Sequence, residues 1–380
     1  MEARREHPGV VVLYNLTENL IKGESRDLLA DQGVINCAQA IADALEGAGY
    51  RVAQAPVHDD VESILAPYPP SEWMIFNLGE GMQGRLFEEA RIAWALEAMG
   101  YQFTGSRGDA IARSVHKAQA KALLAAHGVS TPPWRLFRHP DEVDGSAAEM
   151  LFPLIVKPVA EDASIGVGPE AVVHTVRALC DRVAYVVECY CQSALAETFV
   201  DGREFNVALW GDPPQNLPLA EIDFSAFEDP YDRIVSFAAK WEKDSFEYHH
   251  TPPLCPTQVD VRLGGRIADA ARCAWKAIGC RGYARVDMRV SDGLPYVVEV
   301  NCNPDLSPDA GFYNAARAAG YSYADMAMHI LDIARVYSYD YHRTSLDRRR
   351  AVNSRDHVRG RCFQPYRAEL RRGTVVRVSG

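Results

Sequence analysis

The stretch VVEVNCNPDLSP carries an acid and an amide, Glu299 and Asn301, two residues apart at the end of an apolar run. In a strand, residues i and i+2 point to the same face. The apolar run before it, ARVDMRV, holds Arg285 and Asp287 at the same spacing, and SDG separates the two runs. That pattern predicts a β-hairpin. A three-residue loop at Asp292–Leu294 would set Asp287 opposite Glu299 and Arg285 opposite Asn301. An even loop would split them unless a bulge restores the register. On that geometry one face holds Arg285, Asp287, Glu299 and Asn301. Two carboxylates at cross-strand distance repel, which is costly in a buried sheet unless a cation lies between them. Hard oxygen donors of this kind suit Mg²⁺, which keeps waters and takes its remaining ligands from phosphates. The competing reading is an ion-pair network completed by Arg285.

A metal that expects phosphates calls for lysines. Lys157 closes the apolar stretch FPLIV and precedes Pro158. A lysine there is expensive to bury unless it meets an anion. The loop after it, VAEDASIGVG, is rich in small residues and could close over phosphates with its backbone amides. Lys117 lies on the preceding helical stretch, and Glu197 and Glu204 flank TFVDGR. The two glutamates could accept from an adenine amine and from ribose hydroxyls. Each of these residues alone has a solvated surface position as its ordinary reading.

Two other motifs are set aside. GEGMQG (79–84) fits G-x-G-x-x-G, but it follows the third strand of its unit and the next strand, YQFTG, carries no acid. A dinucleotide loop wants the first strand and an acid after it. The stretch reads instead as a tight turn exposing Glu80 and Arg85 to a cleft. His249 and His250 are adjacent, so in a strand they would face opposite ways; they read as loop residues.

The elements that must position these residues fall into two kinds. Strands at 10–15, 51–57 and 74–79 alternate with helical patterns at 32–48 and 88–100, and YQFTG reads as a further strand. Alternation predicts a parallel sheet covered by helices. From residue 108 a helix over 114–129, a strand at 152–158, a helix near 170–182 and a strand from YVVECY follow. Two hairpins, across GDPPQN and across SDG, flank a long helix within 257–280. They predict an antiparallel sheet, hence α/β followed by α+β. The expected units are 1–107, 108–186 and 187–340, with an arginine-rich tail at 341–380.

Composition limits the function classes. The chain has 380 residues and a net charge of −11, but residues 341–380 hold 11 Arg, no Lys and three acids, so the first 340 residues carry −19. An acidic body argues against a nucleic-acid partner. No apolar run approaches the roughly 20 residues that span a membrane. The N-terminal stretch lacks the apolar core of a signal peptide, and nine scattered cysteines without a C-x-x-C pair fit a reducing compartment. The expected setting is the cytoplasm, with free thiols. The basic tail reads as a solvated or self-docked extension.

Taken in order, FNLGEG…YQFTGS, HKAQAKALLAAHGVSTPPW, FPLIVKPVAEDASIGV, ETFVDGREFNVAL, AAKW and GYARVDMRV…YVVEVNCNPDLSP…AARAAG resemble the ATP-grasp superfamily. Within it they look most like D-alanine–D-alanine ligases and related carboxylate–amine ligases. The resemblance runs from about residue 72 to 335 and more loosely back to residue 10. It implies an ATP-grasp fold, with an N-terminal parallel-sheet domain, a small central lid domain and a C-terminal antiparallel-sheet domain. It implies ATP and Mg²⁺ (or Mn²⁺) as cofactors. Lys117 and Lys157 would bind phosphates, Glu197 would read adenine and Glu204 would bind ribose. Lys240 would reach the γ-phosphate, and Ser164 lies in the phosphate loop. Asp287, Glu299 and Asn301 would hold the metal, and Arg285 would stabilise charge developing in acyl transfer. A homodimer is common among relatives.

The implied chemistry is ligation through an acyl phosphate. The departures fall on the amino-acid side. Where the ligases carry Gly-Ser-Ser in the phosphate loop, this chain has Asp162, Ala163 and Ser164. Where they carry a Gly and a Ser after the metal asparagine, it has Asp305 and Ala310. An alanine cannot donate a hydrogen bond to a substrate carboxylate. The usual acidic N-terminal segment is not recognisable, though Glu24, Asp27 and Asp31 lie nearby. The expectation is an amide- or peptide-forming ligase not dedicated to D-alanyl-D-alanine. Two alternatives stand beside it: the cell-wall ligase itself, and an ATP-binding regulator without turnover.

Overall fold

The computed structural model describes residues 8–17, 20–81 and 85–347. The first unit runs β1 (Gly9–Asn15), α1 (Leu28–Gly47), β2 (Val52–Val57), α2 (Val61–Leu65), β3 (Trp73–Leu78) and α3 (Glu88–Ala98). The three strands are parallel in the order β2-β1-β3. Val10 to Leu13 are all fully buried. Val11 and Leu13 join one core cluster while Val10 and Val12 join another, so both faces of the central strand are covered. YQFTG makes only a single bridge, Phe103 to Ile75, where a full strand was expected.

The helix expected over 114–129 is two helices, α4 (Gly108–Val115) and α5 (Lys117–Ala126). His116 between them is extended (φ −87°, ψ 93°). Its Nδ1 accepts the Gln119 N–H at 3.3 Å and caps α5. The break makes Lys117 the first residue of α5, with Lys121 one turn later on the same face.

The central sheet holds β4 (Trp134–Phe137), β5 (Leu154–Pro158), β6 (Val172–Val173) and β7 (Ala194–Thr198), antiparallel in the order β4-β7-β5-β6. Between β6 and β7 lies α6 (Val176–Tyr190). YVVECY therefore ends a helix and starts no strand. Leu179, Val183, Val186 and Tyr190 recur at helical spacing and are all buried. Thr175 caps the helix by accepting the Ala178 N–H. A boundary at 186 falls inside α6, and β7, beyond it, pairs within the central sheet.

The third sheet has β8 (Arg203–Trp210), β10 (Ala220–Ile222), β11 (Pro253–Leu254), β12 (Tyr283–Ser291) and β13 (Leu294–Asn301) in the order β11-β10-β8-β12-β13, with β9 (Gln215–Asn216) on β8. Short helices α7 (Phe237–Trp241) and α8 (Phe246–His250) lie between β10 and β11. His249 and His250 are thus helical and exposed, not loop residues. The long helix α9 (Val261–Ile278) starts at Asp260, which accepts two backbone N–H groups, and ends at Gly279 with φ 86°. It buries Ile267, Ala271, Ala274, Trp275 and Ile278 in the cluster that contains Val286 and Met288 of β12. α10 (Gly311–Ala318) and α11 (Tyr323–Asp347) pack back on the first unit, sharing a core with Ile41 and Leu45 of α1. Residues 341–347, expected as unpatterned tail, extend α11; 348–380 lie outside the described residues. Among the described residues no helix is long and apolar enough to cross a membrane.

Candidate active site

The β12–β13 hairpin turns on Asp292 and Gly293, with φ of 51° and 70°, and Ser291 pairs with Leu294. Two central residues with positive φ are the geometry that matches strand twist in a two-residue turn. The loop is therefore even, not the three residues first considered. A bulge between Asp287 and Met288 makes up the difference. It brings Asp287 opposite Glu299 and Arg285 opposite Asn301.

The face so formed is tightly wired. Arg285 grips Asp287 in a fork, Nε to Oδ1 and Nη2 to Oδ2, both at 2.8 Å. Asn206, directly across on β8, donates to Asp287 Oδ1 at 2.8 Å, and Asn301 Nδ2 donates to Oδ2 at 3.0 Å. Glu299 Oε1 meets Lys117 Nζ at 2.8 Å, and Lys117 also reaches Asp162 Oδ1 at 3.3 Å and the Glu161 carbonyl. Burial pushes the Glu299 carboxyl up, but the Lys117 and Lys157 ammoniums outweigh it and hold its pKa at about 2. Burial likewise disfavours charge on Lys117, and Glu299 and Asp162 together raise it above the ordinary lysine range.

A second node lies beside the first. Glu197 is 2% exposed and sits between two lysines, Lys157 on Oε1 and Lys121 on Oε2, each at 2.6 Å. Lys121 is 1% exposed and also donates to Thr131 Oγ1 at 2.8 Å. Sequence reasoning passed over Lys121, although its i+4 spacing from Lys117 marked it. Glu204 pairs across the sheet with Arg289 at 2.8 Å. Burial raises its carboxyl, and Arg289 opposes that. Arg289 and Asn206 carried no motif; only strand pairing reveals them.

Two loops close the remaining side. Ser164, expected among the reacting groups, donates its hydroxyl to the Val235 carbonyl at 2.7 Å. Trp241 Nε1 donates to the Ala163 carbonyl at 2.9 Å, and the Phe237 N–H to the Val167 carbonyl at 2.8 Å. Ala163 and Ser164 both have φ near +60°, which strains ordinary side chains and is held here by these ties. Lys240 lies in the last turn of α7 on the same segment and makes no ion pair or hydrogen bond among the described residues. Burial lowers its pKa, and the nearby Arg285 lowers it further.

All ten expected residues line one cavity of about 860 Å³: Lys117, Lys157, Ser164, Glu197, Glu204, Lys240, Arg285, Asp287, Glu299 and Asn301. Glu80 and Arg85 line it as well. Among the described residues no group of three or more His, Cys, Asp or Glu gathers as a metal set. The donors present are two carboxylates and a carboxamide oxygen. That set fits a hard cation that completes its shell with water and phosphate oxygens, as Mg²⁺ or Mn²⁺ does. Lys117 and Arg285 neutralise the two carboxylates in the present arrangement.

Comparison with known proteins gives the family and the fold. The family described as D-ala D-ala ligase C-terminus matches residues 123–332. An uncharacterised protein of Sinorhizobium fredii, y4sG, is 34% identical over 278 residues, covering 72% of this chain and 79% of that protein. A D-alanine–D-alanine ligase of Cupriavidus taiwanensis is 32% identical over 254 residues, covering 67% and 74%. The crystal structure of the Bacillus anthracis D-alanine–D-alanine ligase complexed with ATP shares the fold, with a TM-score of 0.70 at 21% identity, over 88% of this chain and 100% of that one. On the family match and the identity to these relatives, the chain belongs to the D-alanine–D-alanine ligase family, ATP-grasp enzymes that form a C–N bond.

Proposed function

We propose that the chain uses ATP to join a carboxylate to an amine through an acyl phosphate, releasing ADP and phosphate. The observation that carries this reading is the single face of Arg285, Asp287, Glu299 and Asn301 set against the buried lysines. Lys117 and Lys157 bind phosphates, and Lys240, with no ion pair or hydrogen bond among the described residues, meets the terminal phosphate. Glu197 holds Lys157 in place and lies where an adenine amine can be accepted; Glu204 takes the ribose. Asp287, Glu299 and Asn301 hold Mg²⁺ or Mn²⁺, which supplies charge neutralisation along the triphosphate when bound. Ser164 acts as a positioning residue that ties the phosphate loop to the Lys240 segment.

The substrate carboxylate attacks the γ-phosphorus in line, and the bond to the ADP oxygen breaks. The amine then attacks the acyl carbon, and phosphate leaves after a tetrahedral oxyanion that the Arg285 guanidinium stabilises. The tied loops keep water from the acyl phosphate. The three sheets correspond to an N-terminal unit of 1–107, a central lid drawn to about residue 199, and a catalytic unit to about 340. The setting is the cytoplasm and the assembly a homodimer.

Asp305 and Ala310 support a product other than D-alanyl-D-alanine. Asp305 Oδ1 is taken by the Ser307 N–H and hydroxyl at 2.8 and 2.6 Å, and Ala310 stands at the N-cap of α10 with no side-chain hydrogen bond to give. A second reading, the cell-wall ligase, is favoured by the name of the Cupriavidus relative. ADP release with Mg-ATP and D- or L-amino acids, singly and in pairs, separates them. The expected result is release that requires one particular pair, with an amide product by mass. Turnover with D-alanine alone establishes the cell-wall reading. ATP binding without release in any combination overturns the ligase reading.

A further inference from the structure

Two cysteines stand at the two ends of the hairpin that carries the Arg285 face. Cys280 follows Gly279, which ends α9, and Cys302 follows Asn301, which ends β13. Only residues 281 and 282 separate Cys280 from Tyr283, the first residue of β12. Gly282, with φ 75°, turns the chain there, a conformation that glycine adopts without strain. The two thiols end in contact, Sγ to Sγ at 3.4 Å. Both are free and buried, Cys280 9% and Cys302 2% exposed. Cys302 is also part of the cavity wall, between Asn301 and Asn303, and its Sγ lies 3.8 Å from the Ala110 carbonyl of α4.

A single buried thiol is ordinarily inert packing. This pair differs in two respects. Each sulfur has the other within reach, so an oxidised one meets an intramolecular partner. Cys302 also belongs to the wall of a cavity that opens to solvent, so a small oxidant reaches it without unfolding of the chain. Joining the sulfurs takes their separation from 3.4 Å to about 2.05 Å. That closure falls on the residue next to Asn301, whose Nδ2 donates to Asp287 at 3.0 Å.

We propose that Cys280 and Cys302 form a modification site, which a hydroperoxide converts to a disulfide that turns the Arg285 face off. The Cys302 sulfur attacks one peroxide oxygen, the O–O bond breaks, and the thiol proton leaves with the other oxygen. With hydrogen peroxide this step gives a sulfenic acid and one water. The Cys280 sulfur then attacks the Cys302 sulfur, the S–O bond breaks, and the second thiol proton leaves with the hydroxyl as another water. Two thiols are oxidised and one peroxide is reduced. Exchange with small thiols reverses the bond, as suits a transient disulfide in a reducing compartment. The link ties the end of β13 to the end of α9. A displacement of about 1 Å at reacting groups costs on the order of a hundred-fold in rate. That the face is a reacting site, covered by ATP in use, rests on the ligase reading above.

The test exposes the full chain to hydrogen peroxide, blocks the remaining thiols and digests with trypsin without reductant. The expected product is the peptide Ala277–Arg281 linked to Val290–Arg317, separated again by dithiothreitol. Mg-ATP present during exposure should slow the linkage. The linked protein should bind Mg-ATP more weakly by calorimetry and release ADP about a hundred-fold more slowly, with recovery in dithiothreitol. Cys280→Ala and Cys302→Ala should each keep binding and release after the same exposure, and melting before exposure shows whether they are folded. Cys191→Ala, which removes an exposed thiol, should respond as wild type. The linked peptide is read in wild type and depends on no variant. Its absence at doses that oxidise Cys191 overturns the proposal and leaves the ligase reading standing. Linkage with binding and release unchanged overturns the switch. Linkage that weakens Mg-ATP binding, in a protein that releases no ADP with any amino-acid pair, supports the switch and overturns the ligase reading.

Discussion

At the scale of single residues, the site is built from buried charges that satisfy one another. Glu197 holds Lys121 and Lys157 with one oxygen each. Breaking a buried pair by removing one partner leaves the other charge uncompensated, at a cost of about 3–5 kcal/mol. Glu197→Gln leaves two ammoniums facing each other, so urea unfolding should show a loss of that order; a loss below about 1 kcal/mol, the size of a surface pair, would show that the pairing is not structural. Glu299 gives a pH signature. Its folded pKa of about 2 lies below the ordinary 4.5. The unfolded chain therefore binds the proton first, and stability falls as pH drops from about 4.5 toward 2. In Glu299→Gln that part of the acid slope should be missing from a melting-temperature profile.

At the scale of elements, position depends on backbone features more than on side-chain type. Gly202 turns the chain between β7 and β8, and so sets Glu197 relative to Glu204. A Cβ there would lie 2.0 Å from the Val290 carbonyl oxygen. Gly202→Ala should destabilise by about 2 kcal/mol or more, measured by denaturant midpoint, and should weaken ATP binding with it. The same backbone dependence explains what was legible in sequence. The i, i+2 spacing of Arg285 with Asp287 and of Glu299 with Asn301 announced the face they share. The two-residue turn at Asp292 and Gly293 hid it, because an even loop needs a bulge and no residue type marks one. YVVECY, with β-branched and aromatic residues, suggested a strand, yet Val183, Val186 and Tyr190 continue the buried face of α6 that Leu179 begins. His116 split an alanine-rich run whose composition favoured one helix. Arg289 and Asn206 meet their partners only across the sheet, a relation that linear order does not contain.

At the scale of the whole molecule, three sheets deliver residues to one cavity. The parallel sheet presents the ends of β1 and β3, the central sheet Lys157 and Glu197, and the third sheet the Arg285 face. No single sheet carries the chemistry, which is why the motifs lay spread from residue 117 to 301. The ordered set was readable from sequence because each sheet contributes a short stretch with its own pattern. What that order did not reveal is that Lys117 and Lys157 rest on the protein's own carboxylates, Glu299 and Glu197.

That last arrangement has a consequence for selectivity among anions. Glu299 and Glu197 are tethered counter-ions, present beside Lys117 and Lys157 at an effective concentration that no dissolved simple anion matches. An incoming oxyanion must displace them and then leave them stranded. Only a ligand that brings its own cation can pacify the carboxylate it evicts. Inorganic sulfate should therefore leave the rate of ADP release unchanged, while ADP with its metal competes with ATP. Inhibition by sulfate at modest concentration would show that the tethered acids offer no such screen.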